Sequence, residues 1–350
     1  MEPNVAALSG YVGKYEKKLF STLVKTLSAA IMMMVMPDIK SKLRLTKLRV
    51  LNGAKPYSVD FSGSDADLVY SQRDLEVNTG KRELQIDVEQ FRQTWLSELQ
   101  AKGVNPTDLP LAAYVWDQVF KNLAADIETN TVYLGLGPSG IADYNAASTY
   151  SAGAKIRFQN NYYLCVSSTT AGQSPSTHAA KWQLANSRFL AKGIGTIIAE
   201  EITAGNLSPV SIGSIAASTA KAQFDSFARS MPAEYQAAGF NIYCSRDNWW
   251  KFNDDYEDKV GKFVQLNAEG YSLLSGFGDR VKIIPANWMG NSGRLIATPM
   301  ENLLMGVDSM SDMNNVRIFA PTDWSIKAGI AFRLGFQIRD LDAIKVSDVA

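Results

Sequence analysis

At 350 residues, 46 % hydrophobic and 20 % charged, the chain can bury a sizeable core in two or three compact units, which argues against wholesale disorder. Lysine plus arginine and aspartate plus glutamate each number 35, which argues against a surface built to grip nucleic acid all over. Cys165 and Cys244, the two cysteines, lie far apart in the chain; no disulfide framework or zinc spacing can be built from them, and a reducing compartment fits.

The even balance hides a basic arm, residues 1–47. Residues 1–55 hold ten basic side chains (Lys14, Lys17, Lys18, Lys25, Lys40, Lys42, Arg44, Lys47, Arg49, Lys55) against three acids (Glu2, Glu16, Asp38). An apolar run ends at Ala29-Ala30-Ile31-Met32-Met33-Met34-Val35-Met36, but Lys25 interrupts it, and the uncharged stretch from Thr26 is too short to span a bilayer. Leu19, Leu23, Leu27, Ile31 and Met34 fall on one face of a predicted amphipathic helix, stopped by Pro37.

Residues 48–91 read as an extended β-hairpin. Val50 and Leu51 run into the turn Asn52-Gly53; a strand from Leu68 to Val77 follows, then a turn at Asn78-Thr79-Gly80, then alternation through Leu84, Ile86 and Val88. Such an arm has little core of its own and needs a neighbour. The next unit, 92–137, centres on a helix in which Asp108 caps, Pro110 sits in the first turn, and Leu111, Val115, Val119, Leu123 and Ile127 repeat every four residues. Thr131 to Leu134 reads as an extended exit. Residues 138–186 change texture: rich in Ser, Thr, Ala, Asn, Gly and Tyr, with Asp143 the one acid, they predict a small β module with strands near Lys155–Phe158 and Tyr162–Ser167. From 187 to 320 the chain is mixed again, with helices near Gly193–Thr203 and Ala216–Met231 and strands at Phe240–Cys244, Val281–Ile284 and Arg294–Ala297. In the last unit, 321–350, Ile330 to Ile344 alternates as strands do.

No residue pattern asks for catalysis, a metal or a cofactor. Gly135-Leu136-Gly137-Pro138-Ser139-Gly140 matches a dinucleotide loop in letters only: a helix precedes it and positions 155–162 supply no acid, so it reads as a junction turn. His178, the one histidine, sits in a loop-like stretch without a nucleophile elbow. Asp254-Asp255 and the pair Asp340 and Asp342 sit beside Tyr256, Lys259 and Arg339, and read as solvated surface. Cys244 ends an apolar strand and reads as a buried thiol.

Three segments carry a resemblance. Val281-Lys282-Ile283-Ile284-Pro285, Trp288-Met289-Gly290 and Arg294-Leu295-Ile296-Ala297-Thr298-Pro299 lead into Asn302-Leu303-Leu304-Met305-Gly306-Val307-Asp308. Ala328-Gly329-Ile330, Leu334-Gly335-Phe336-Gln337-Ile338 and Asp342-Ala343-Ile344-Lys345-Val346 close the chain, and Leu75-Glu76-Val77 with Leu84-Gln85-Ile86-Asp87 lies upstream. In texture and order these resemble the major capsid proteins of tailed bacteriophages, over residues 38–137 and 187–350. The resemblance implies an α+β, HK97-like fold: N-terminal arm, extended hairpin loop, spine helix with a peripheral domain, an axial domain at 187–320, and return strands to the peripheral domain. It implies self-assembly through pentamers and hexamers into an icosahedral shell, with other capsid, portal or decoration proteins as partners, in a virion assembled in host cytoplasm and not in a membrane. Lys14, Lys17, Lys18, Lys25, Lys40, Lys42, Arg44, Lys47 and Arg49 then face packaged DNA non-specifically, or pair with acids of neighbouring subunits.

The module at 138–186 is similar to the small carbohydrate-binding modules of chitinases, through Tyr150 to Phe158, Tyr162-Tyr163-Leu164-Cys165, Thr169 to Pro175 and Lys181-Trp182-Gln183-Leu184. That similarity makes Tyr162, Tyr163 and Trp182 candidates to stack on surface glycans. The alternative is that these rings form the module's own small core. A cell-surface or phage-tail adhesin using this module is the second functional reading.

Overall fold

The computed structural model of the protein describes residues 27–50, 57, 59, 68–87, 111–308, 316–322 and 325–349. Helix α1 (Ser28–Met32) and strand β1 (Met34–Met36) come first, then strands β2 (Lys42–Val50), β3 (Leu68–Glu76) and β4 (Asn78–Asp87). Helix α2 (Leu111–Asn130) leads into the short strands β5 (Ala142–Asp143), β6 (Lys155–Phe158), β7 (Asn161–Cys165) and β8 (Trp182–Leu184). Next come helices α3 (Ile194–Thr203), α4 (Ala220–Arg229) and α5 (Ala233–Ala238), strand β9 (Phe240–Cys244) and helix α6 (Arg246–Val260). Strands β10 (Ser272–Leu273), β11 (Val281–Pro285), β12 (Ile296–Thr298) and β13 (Leu303–Val307) precede β14 (Val316–Thr322), β15 (Ser325–Ile338) and β16 (Lys345–Val346).

The four-residue repeat of α2 does what its spacing dictates. Leu123 and Ile127, with Phe120 and Ala124 beside them, are buried against Ile194, Ile197 and Ile198 at α3 and against Trp288. The residues after it are not extended as expected. The amides of Thr131 and Val132 both point to the carbonyl of Ile127, and the Thr131 hydroxyl donates to Ser187 O at 2.8 Å, so the helix ends in a tight turn. The N-terminal helix also departs from its predicted face. It stops at Met32, leaving Ile31 and Met34 exposed while Ala29, Met32 and Met33 are buried. The cause is a change of period: β1 adds in parallel to β13, with Met34 opposite Leu304.

Two sheets organise the body. In the first, the long strand β15 is central. It pairs with β4 on one edge, from Ser325 opposite Asp87 to Leu334 opposite Asn78, and with β14 and then β13 on the other. Asn78-Thr79-Gly80, expected as a turn, therefore opens a strand. The second sheet has the order β10-β11-β9-β12-β16 and is covered on both faces. Ile242, Cys244, Ile283 and Leu295 meet Phe224, Phe227 and Phe252 of α4 and α6, while Tyr243, Ile296 and Val346 join the core around Trp288.

The ribbon differs from the hairpin expected over 48–91, whose turn at Asn52-Gly53 lies outside the described residues. β2 and β3 pair antiparallel from Lys42 opposite Glu76 to Val50 opposite Leu68, so the ribbon begins in the predicted arm, and β4 leaves it for β15. The changeover passes directly over Gly335: a Cβ there would stand 2.0 Å from the Glu76 carbonyl oxygen. Residues 138–186 form a separate four-stranded sheet, β5-β6-β7-β8, with its own small core. Its two connections to the body lie side by side: Leu136 N donates to Arg188 O at 2.6 Å and Gly193 N to Gly135 O at 2.8 Å. A Cβ on Gly135 or Gly193 would stand within about 2.6 Å of backbone oxygens across that neck.

Candidate functional site

Among the described residues no group of His, Cys, Asp and Glu side chains could hold a metal ion, and no helix is long and apolar enough to cross a membrane. His178 is exposed, its Nδ1 3.0 Å from the neighbouring Thr177 hydroxyl. Both thiols are buried, and burial pushes each up and away from the reactive thiolate. Asp255 corrects the solvated reading of its pair. It is 2 % exposed, accepts the Lys221 backbone N–H at 2.7 Å in the first turn of α4, and holds Lys259 at 2.8 Å.

The features that ask for something outside the chain lie on the β2–β3 ribbon. Side chains alternate between its faces. The inner face presses Leu43, Leu45 and Leu75 against Ile39, Val77 and Leu304. The outer face starts with a self-neutralising group, Lys42 and Arg44 with Asp74 and Glu76, whose mutual hydrogen bonds raise the Lys42 ammonium and lower the Asp74 carboxyl. Farther out the same face turns apolar. Leu48 stands opposite Tyr70 and Val50 opposite Leu68, and the four are 45–63 % exposed. Tyr57 and Val59, in the stretch between the strands, are 93 % and 90 % exposed. A contiguous apolar end on a two-stranded ribbon is a contact surface with no occupant among the described residues.

The basic residues divide into three sets. Lys14, Lys17, Lys18 and Lys25 lie outside the described residues, as do Leu19 and Leu23. Lys40 is exposed. Lys42 and Arg44 are paired on the outer face, Lys47 lies 2.5 Å from Asp340 and 2.9 Å from Asp342, and Arg49 lies 3.8 Å from Asp342. The carboxylates that neutralise β2 therefore belong to this same chain, and Asp340 and Asp342 are ion-paired, not simply solvated. Lys47 holds the Asp342 carboxyl below its usual range.

The three aromatic candidates of the module do not share a surface. Trp182 is 6 % exposed, donates Nε1–H to Gln173 O at 3.0 Å, and packs with Ile156 and Cys165. Tyr163 points to the same side, edge-on to Phe158. Tyr162, one residue on in a strand, faces the other way, toward Phe189 at 6.0 Å. A stacking platform needs an exposed ring face, and Trp182 has none; the rings chiefly build the module's core. Tyr162 borders a cleft of about 970 Å³ between the module and β4, beside Asn161, Asn186 and the Asp143–Arg157 pair. Nothing in the residue pattern signalled that cleft, because its walls come from distant segments.

No protein-family model matches the sequence, and no curated protein matches it. Solved structures do superpose along most of its length. A chain of the satellite phage P4 procapsid, which includes the size determination protein, aligns at 12 % identity and a TM-score of 0.49, covering 95 % of this chain and 90 % of that one. The capsid of a native GTA particle aligns at 12 % identity and 0.47, covering 92 % and 89 %. The encapsulin SrpI complex of Synechococcus elongatus aligns at 9 % and 0.43, covering 90 % and 84 %. Likeness of this degree says nothing of function by itself; function rests on the chain's own surfaces.

Proposed function

We propose that this chain is the repeating subunit of a protein shell, a major capsid protein whose copies hold one another through the β2–β3 ribbon. The observation that carries the reading is the apolar outer face at the end of the ribbon, Leu48, Val50, Leu68 and Tyr70, exposed and opposite the face that packs on its own body. A two-stranded ribbon is marginal alone, and water-exposed apolar cross-strand pairs gain most when a second chain covers them. In this reading the shell is icosahedral, built from pentamers and hexamers, and encloses phage DNA in a virion assembled in host cytoplasm. The N-terminal basic residues Lys14, Lys17, Lys18 and Lys25 supply positive charge that attracts packaged DNA non-specifically. The module stands out from the wall on its neck. The resemblance of residues 281–308 and 328–346 to tailed-phage capsid proteins supports the same reading. The adhesin alternative loses its main support with Trp182 in the module core.

Electron microscopy and sedimentation of the purified protein test it. Closed particles or capsomer rings are expected, and a monomer at every concentration overturns the proposal. Val50→Ser with Tyr70→Ser is expected to raise the concentration needed for assembly by roughly tenfold or more, since each exchanged side chain gives up burial worth on the order of 1.5 kcal/mol.

A further inference from the structure

The ribbon is attached to the body in three unlike ways along its length. At the root, Leu43, Leu45 and Leu75 close over Ile39, Val77 and Leu304. Next stands Arg73, directly opposite Leu45. Its Nη1 lies 2.8 Å from Glu201 in a pair whose side chains are only 18 % and 17 % exposed. Nε donates to Ile338 O at 2.8 Å and Nη2 to Gln337 Oε1 at 2.9 Å, while Gln337 Nε2 donates back to Asp74 O at 2.7 Å. Farther out come Lys47 and Arg49 with Asp340 and Asp342, where three of the four side chains are one-third to two-thirds exposed. Past Arg49, no described side chain of the ribbon is hydrogen-bonded or ion-paired to the body.

We infer that the ribbon is a lever: Arg73 is its fixed hinge, and Lys47 and Arg49 with Asp340 and Asp342 form a latch that salt can open. Exposed ion pairs are weak and are screened once the Debye length falls to a few ångströms. The apolar root is not screened, and the partly buried, fork-bonded Arg73 is much less so. Lifting also leaves the ribbon intact, because its two strands hydrogen-bond to each other over the whole register. Thr46 to Val50 extend about 16 Å beyond the hinge at about 3.3 Å per residue, so a modest rotation at Arg73 carries the apolar end through several ångströms. One ribbon can then meet a partner surface over a range of angles. This inference does not depend on the shell reading, since an isolated chain would carry the same lever.

Distances between spin labels test it. The native cysteines are both buried, so labels at Val50→Cys on the outer face, near the far end of the ribbon, and Ala237→Cys on α5 report alone. The labelled full chain is diluted into excess unlabelled protein, so that contacts between copies do not register. A narrow distance distribution is expected at about 0.05 M salt, lengthening by several ångströms and broadening at about 1 M. Lys47→Met should show the broad distribution at both salts. Arg44→Met, whose pair with Asp74 lies within the ribbon, should keep the narrow one at low salt. A distribution unchanged by salt, or one already broad at low salt in the parent, overturns the latch. The salt series on the parent decides the matter even where Lys47→Met folds poorly. Particle formation is read separately by microscopy, so the shell can fail while the lever stands, or the reverse.

Discussion

Asp255 shows how a residue's neighbours in sequence can mislead. Beside Asp254, Tyr256 and Lys259 it has the look of a hydrated helix surface, yet its decisive partner is the backbone of Lys221, 2.7 Å away across the α4–α6 contact. Asp255→Ala is expected to destabilise the fold by about 1–3 kcal/mol, because the α4 amide loses its acceptor in a buried site. Asp255→Asn should restore part of that, since an amide oxygen still accepts. Urea unfolding midpoints decide it; a parent-like midpoint for the alanine variant would remove the capping role. Trp182 and the two tyrosines before it make the same point for the module. Their aromatic character was visible in the sequence, but which face each ring takes depends on the strand register of β7 and β8, with Cys165 opposite Trp182.

Elements whose apolar residues repeat on their own were legible: α2 from its four-residue spacing, β9 from an apolar run that follows the stop at Gly239, and β11 from one closed by Pro285. Helix α6 was missed because Arg246 to Val260 is mostly polar and shows no continuous apolar stripe. Its signals were at the ends, in Ser245 before the first turn and the left-handed Gly261 after the last. Partner choice was not legible at all. The alternation in 42–50, 68–76 and 78–87 fits strands, but only the tertiary fold sends β3 to β2 and β4 to β15. The crossing at Gly335 offers a measurement at this scale. Gly335→Ala should lower the thermal midpoint by several degrees, an overpacking cost of about 1–3 kcal/mol against a backbone oxygen that has nowhere to go. Gly329→Ala, on the same strand with nothing within 4 Å of a new Cβ, should leave the midpoint within about a degree or two or raise it. Equal effects at both sites would mean that strand propensity, not the Glu76 approach, sets the outcome.

At the scale of the molecule, the body and the module share a neck and little else of their cores. Ile156, Cys165 and Trp182 pack only within the module's own cluster, and the neck is held by Leu136 with Arg188 and Gly135 with Gly193. Replacing residues 139–186 by a short glycine–serine link should leave the thermal midpoint within a few degrees of the parent's and particle formation intact, by calorimetry and microscopy. Loss of soluble protein would show that the module supports the body. The body itself is tied together in a way that bears on its birth. Strand β1 lies beside β13, with Met34 to Met36 against Leu304 to Gly306, so β1 waits for a partner made only at residues 304–306. At about 5–20 residues per second that wait is on the order of ten to fifty seconds. The cluster around Phe224, Phe227 and Phe252 draws on residues 210–297, so it can close on the ribosome while Leu27, Met32 and Met33 are still unburied. A chaperone that binds apolar segments would meet Leu27 to Met36 early, and lose its hold only once β13 and β15 arrive.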